Sequence, residues 1–160
     1  MQFPSSTTRS RLIVGFVAGA VGGAVAIALM ELLAERTTFP LLFVPFATSI
    51  VLVMGSPEAE PAQPRALVGG HLVSTAVGLL VLHIIGAGPW AAAAAVGLAI
   101  VAMHLTRTFH PPAGIDPLVV VVNTMTWSFL VAPVAVGVCL LVAFAWHNAV
   151  RRGSWPVRWW

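Results

Sequence analysis

Few side chains in this sequence can do chemistry, and several of them gather in Arg107-Thr108-Phe109-His110-Pro111-Pro112-Ala113-Gly114. Two successive prolines remove two amide donors and forbid a continuous helix through this point. Inside a bilayer such a break persists only where it is buried in protein or lines a cavity. Pro112 suits the first turn of a new helix, which predicts free amides at Ala113, Gly114 and Ile115. Free amides at the positive end of a helix dipole hold an anion without any charged side chain. Arg107 and His110 would attract or gate that ion, and imidazole, titrating near about 6.5, would supply a switchable charge. The alternative is a tight loop retained for architecture.

A related stretch lies earlier, where Pro45-Phe46 precedes Ala47, Thr48 and Ser49; these three are expected to present a second helix start with hydroxyls added. Between the two, His71, Ser74, Thr75 and Gly78 recur at helical spacing and form a polar stripe on an apolar helix. Polar groups are costly in hydrocarbon, so that face is expected to look inward, with His71 as a further candidate for the binding site. His83, His104 and His147 fall near the ends of apolar runs, where interfacial solvation suffices. No pair has convincing metal-ligand spacing with a carboxylate, so neither a metal nor a cofactor is expected. Cys139, inside an apolar run, reads as an inert packed thiol. No nucleophile–base–orienter set is visible, and Asp116 with His110 is too little for a reaction, so an enzyme is not expected.

The elements that must position these residues are membrane helices. The chain is 59% hydrophobic and 8% charged, against about a quarter charged in soluble domains. It has no lysine, and its arginines sit at the ends of apolar runs, which reads as topology and not as nucleic-acid binding. Four segments approach the roughly 20 apolar residues that a span requires: Leu12–Leu33, Ala66–Ile85, Trp90–Leu105 and Phe129–His147. Pro40–Met54 and Ala113–Val122 are shorter and begin among prolines, as half-helices or short crossings do. If both cross, Arg36 alone stands opposite the other arginines, which favours six crossings with both termini cytoplasmic.

The predicted fold class is therefore all-α: a polytopic bundle of four long transmembrane helices plus two short proline-led half-helices. Similar proline-led stretches in 11–85 and 88–148 fit a 3+3 inverted repeat. Residues 1–152 form one transmembrane domain, and 153–160 an interfacial tail of Trp and Arg. The run from Leu12 is too long for a signal core and reads as a retained first helix. Gly15, Gly19 and Gly23 offer a close-packing face, and six short spans make a thin protein for which a homo-oligomer is expected.

The triplet His110-Pro111-Pro112 resembles the signature of the HPP family of integral membrane proteins. Pro61-Ala62-Gln63-Pro64-Arg65 followed by Gly69-Gly70-His71 is similar to that family's other characteristic stretch, and the likeness runs from about Arg11 to Arg152. It implies four transmembrane helices and, because some plastid and cyanobacterial relatives are linked to nitrite transport, a transporter or channel for a small anion. One departure stands out: Ile115-Asp116-Pro117 replaces a small uncharged run. Facing the site, that carboxylate would oppose an anion; it could instead accept a proton or ligate a cation. A non-transporting assembly or sensory module is the second expectation.

Overall fold

The computed structural model describes residues 6–36, 44–151 and 155–157, and every regular element among them is helical. Six α-helices follow in order: α1 (Ser6–Arg36), α2 (Val44–Gly55), α3 (Pro64–Ile85), α4 (Pro89–Leu105), α5 (Asp116–Val122) and α6 (Val131–Arg151). Short 3₁₀ turns at Glu60–Ala62, Pro111–Ile115 and Trp127–Leu130 lead into α3, α5 and α6.

Proline sets the starts. Pro64 and Pro89 are the first residues of α3 and α4, where a missing N–H costs nothing. The stop of α4 is less ordinary. The Thr108 amide donates to Met103 O at 2.8 Å and the Arg107 amide to His104 O at 3.1 Å, the paired bonds of a Schellman cap. That cap needs a left-handed residue, and here Arg107 supplies it with φ 56° where glycine is usual. The chain then runs extended through His110 (φ −131°, ψ 101°) into the 3₁₀ turn and α5. The helix is thus broken between Leu105 and Pro111, as the prolines require.

Among the described residues, two helices are long and apolar enough to cross a bilayer unaided, over Ile13–Arg36 and Pro64–Ile85. With 17 residues, α4 rises only about 26 Å, and α2 and α5, with 12 and 7, are shorter still.

In the packing α3 is the hub, lying against α4, α5 and α6, while α1 packs on α2 and α6. The core is built from Phe46, Ile50 and Val53 of α2 with Met30, Leu67, Leu140 and Phe144. Outside, Phe16, Val17, Ile84, Ile85 and Leu105 are exposed, a surface that suits lipid. Glycines, among them Gly70 and Gly78, let α3 approach the broken segment closely. A Cβ on Gly70 would lie 2.6 Å from His110 Cβ, and one on Gly78 would lie 2.7 Å from Pro117 Cα. On α1 a Cβ at Gly19 would meet Met54 O at 2.9 Å, so this part of the glycine stripe packs inside the chain, against α2. Of the tail, Trp155 stacks on Phe144 with ring centres 3.5 Å apart, and the Val157 amide donates to Gln63 Oε1 at 3.0 Å.

Candidate functional site

The polar stripe of α3 faces inward, onto the segment that the two prolines interrupt. Ser74 Oγ donates to Ala113 O at 2.6 Å. Next to it, His71 Nδ1 lies 2.7 Å from Asp116 Oδ2, and Thr75 donates to the same oxygen at 3.3 Å. On its other side His71 Nε2 lies 2.8 Å from Ser49 Oγ, which is also 2.7 Å from His110 Nε2. The far nitrogen of that ring, His110 Nδ1, lies 2.6 Å from Pro61 O. The result is one continuous chain: Asp116, His71, Ser49, His110, Pro61 O.

Each link comes from a different element. Ser49 stands one turn after Pro45, whose carbonyl is 2.8 Å from its hydroxyl. His71 sits on α3 with its ring edge against Phe46, and the two imidazole rings are 5.1 Å apart. Asp116 opens α5, a place that suits a carboxylate. Ser49, His71, Asp116 and His110 are each no more than 1% exposed. Asp116 Oδ1 has no hydrogen-bond partner among the described residues, a condition that costs about 1–3 kcal/mol, or more for a charged group.

Ser49, His71 and Asp116 stand in the order of a hydrolase's nucleophile, base and orienter, a constellation the sequence does not reveal. The hydroxyl nevertheless has three hydrogen-bonding neighbours and no surface, so in this conformation no carbonyl carbon can approach it.

The expected amide site requires correction. The Ala113 N–H is not free: it donates to His110 O at 3.0 Å. In a 3₁₀ turn the unpaired positions come first, and the first two residues of this turn, Pro111 and Pro112, have no N–H to offer. Gly114 and Ile115 follow inside that turn, half-buried and exposed. In the earlier stretch α2 begins at Val44, so Thr48 and Ser49 lie beyond its unpaired first-turn amides. Thr48 is exposed and its hydroxyl turns back to Pro45 O. Side chains, not backbone amides, make this centre.

Arg107 is not in it. It lines an outer cavity of about 310 Å³ with Glu60, Pro61, Ala66, His104 and Phe109. Pro61 belongs to both places: its carbonyl faces His110 and its residue borders the cavity. The two proline motifs therefore touch. Arg65 Nη2 also joins them, donating to Thr106 O at 2.9 Å, where a cation complements the end of α4. Gln63 holds the turn before α3 by donating to Pro57 O and Ala59 O. Sequence reasoning singled out Asp116, Ser74 and Thr75 but left them outside the site, and it missed the Pro61 carbonyl, which no side-chain pattern marks.

The family model described as HPP, transmembrane region, matches residues 8–156. A transmembrane protein of Dictyostelium discoideum is 40% identical over 125 residues, covering 72% of this chain and 40% of its own length. A second from the same organism is 34% identical over 125 residues, again 72% of this chain and 44% of its own. The chain spans less than half of these curated relatives. No solved structure matches it.

Proposed function

This chain belongs to the HPP transmembrane family, and from that premise we propose that it is a transporter or channel for a small inorganic anion, with nitrite the first ion to test. The observation that carries the proposal is the buried Asp116–His71–Ser49–His110 chain beside a broken helix. Polar side chains inside membrane helices are expensive and commonly mark solute or ion pathways. His71 and His110 are the groups that can supply positive charge there, and Asp116 balances one such charge. A second proton on the pair leaves one positive charge, enough for one monovalent anion.

The outer cavity, with Arg107 and His104 on its wall, is the entrance, and Arg107 draws the anion to it. Access from there requires the Pro61 turn and His110 to part, which fits a site occluded in this conformation. Alternating access would rock one half of a 3+3 inverted repeat against the other, with α2 and α5 as the short elements of each half. The multi-pass arrangement, cytoplasmic termini, a bacterial-type inner or plasma membrane and a homo-oligomer belong to the same proposal.

The test is uptake by proteoliposomes loaded with a nitrite-sensitive reporter. Wild-type protein should admit nitrite, and His110→Ala, checked for folding by thermal unfolding, should lose at least roughly tenfold of the rate, as when a buried partner is removed. Equal flux in both would remove the site. No flux of any small anion, together with a stable protein partner, would favour an assembly module instead, for which the groove of about 900 Å³ along Gly15, Gly19 and Gly23 is the natural contact.

A further inference from the structure

The Ser49 hydroxyl has one hydrogen and three hydrogen-bonding neighbours, which restricts where the protons around it can lie. Pro45 O and Pro61 O are carbonyls and only accept. His110 Nδ1 faces Pro61 O at 2.6 Å, so that nitrogen carries a proton. If His110 is neutral, its Nε2 is bare and needs a donor. His71 is in the same position: with Asp116 ionised and His71 neutral, the proton sits on Nδ1 and Nε2 is again bare. Two bare nitrogens at 2.7 and 2.8 Å would then compete for one O–H, leaving a lone pair facing a lone pair in a site without water access.

One additional proton resolves the conflict. With His71 protonated beside ionised Asp116, or with Asp116 protonated and His71 holding its hydrogen on Nε2, the His71 Nε2–H donates to Ser49 Oγ. The Ser49 hydroxyl then donates to His110 Nε2. In the mirror arrangement His110 is the imidazolium, donates to Ser49, and the hydroxyl turns to His71. A second added proton is also accommodated, because both rings then donate and the hydroxyl donates to Pro45 O.

We propose that Asp116, His71, Ser49 and His110 form a proton-binding relay that always holds one proton beyond the ionised-carboxylate, neutral-imidazole state and passes it between the two rings through the Ser49 hydroxyl. The transfer balances: the His71 Nε2–H bond breaks as a new Oγ–H forms, the old Oγ–H breaks, and His110 Nε2–H forms. The net change is one proton moved between rings 5.1 Å apart. At the His110 end the relay stops at Pro61, the residue it shares with the outer cavity. At the other end is Asp116 Oδ1, which has no hydrogen-bond partner among the described residues.

The other titratable groups on surrounding elements lie elsewhere. None is on α2. Arg65 turns to Thr106 O, and Glu60, His104 and Arg107 line the outer cavity. The His147 ring of α6 lies by Phe144, and His83 is exposed near the end of α3. The relay does not depend on which solute crosses the membrane.

The test is ¹⁵N NMR of the histidine rings in the full chain, reconstituted in lipid bilayers without any added anion. His71→Gln and His110→Gln assign the signals. Spectra are recorded about two pH units above the ordinary imidazole value near 6.5. At that pH at least one Nε2 of the His71–His110 pair should still bear hydrogen. Asp116→Asn, whose amide N–H donates to His71 Nδ1 as the protonated acid would, should keep the His71 Nε2–H signal, and its loss in a folded variant would overturn the proton assignment. Wild-type protein with both Nε2 atoms bare would overturn the proposal whether or not any variant folds. Absent nitrite flux with the extra proton present would remove only the anion transporter; nitrite flux with both Nε2 atoms bare would remove only the relay.

Discussion

Gly70→Ala puts the geometry of the centre to its strictest test. The new methyl carbon would lie 2.6 Å from His110 Cβ and 2.8 Å from Thr108 O, whereas ordinary contacts begin at 3.4 Å. About 0.8 Å must therefore be found, and a backbone carbonyl cannot swing aside as a side-chain tip can. If His110 moves by that amount, its 2.7 Å contact with Ser49 changes by as much as about 0.8 Å, enough to spoil a hydrogen bond. Overpacking costs about 1–3 kcal/mol, against a helix-propensity gain of up to ~1 kcal/mol for replacing glycine. The net loss, up to about 2 kcal/mol at full propensity gain, lowers Tm by up to roughly 4–8 °C in a chain of this size. Gly97→Ala is the matched control, because nothing lies within 4 Å of its new carbon. It should be neutral or raise stability by ~0.5–1 kcal/mol. Thermal unfolding of both variants in detergent, with the His110 ring signals as a second readout, decides the matter. Gly70→Ala as stable as Gly97→Ala, with an unchanged His110 spectrum, would show that α3 does not press on the broken segment as described.

Arg107→Gly removes a left-handed arginine from the α4 cap and should gain about 1 kcal/mol, read as a Tm rise of a few degrees. The same variant should slow nitrite uptake if Arg107 draws the anion to the outer cavity, so stability and flux are expected to move in opposite directions. Gln63→Ala removes two donated bonds, of 2.9 and 3.0 Å, and the acceptor of the Val157 amide. It should lower stability by about 1–3 kcal/mol, and an unchanged unfolding midpoint would exclude Gln63 as the clasp of that turn.

Much of the scaffold was legible from residue order. The apolar runs from Leu12, Ala66, Trp90 and Phe129 became α1, α3, α4 and α6, because lipid-compatible composition and proline starts act locally. The break at the double proline was equally readable, since ring closure at nitrogen removes the donor whatever surrounds it. The inward turn of His71, Ser74 and Thr75 followed from helical periodicity and the cost of polar groups in hydrocarbon. The run read as Trp90–Leu105 ends at Leu105 in the structure, but its cap was less legible, because Arg107 adopts a left-handed conformation that its residue type does not advertise.

The partners of those polar side chains were decided only in three dimensions. Ser49 and His110 are 61 positions apart, and His71 and Asp116 are 45 apart, so no local spacing links them. What joins them is the register at which α3 meets the broken segment, fixed by close approach at Gly70 and Gly78. The same register assigned Asp116 to His71 and left Ala113 without a free amide, replacing the expected backbone anion cradle by a chain of side chains. Composition and proline placement determine where a membrane chain must stop and restart. Packing distances of a few tenths of an ångström determine which buried polar atoms then meet.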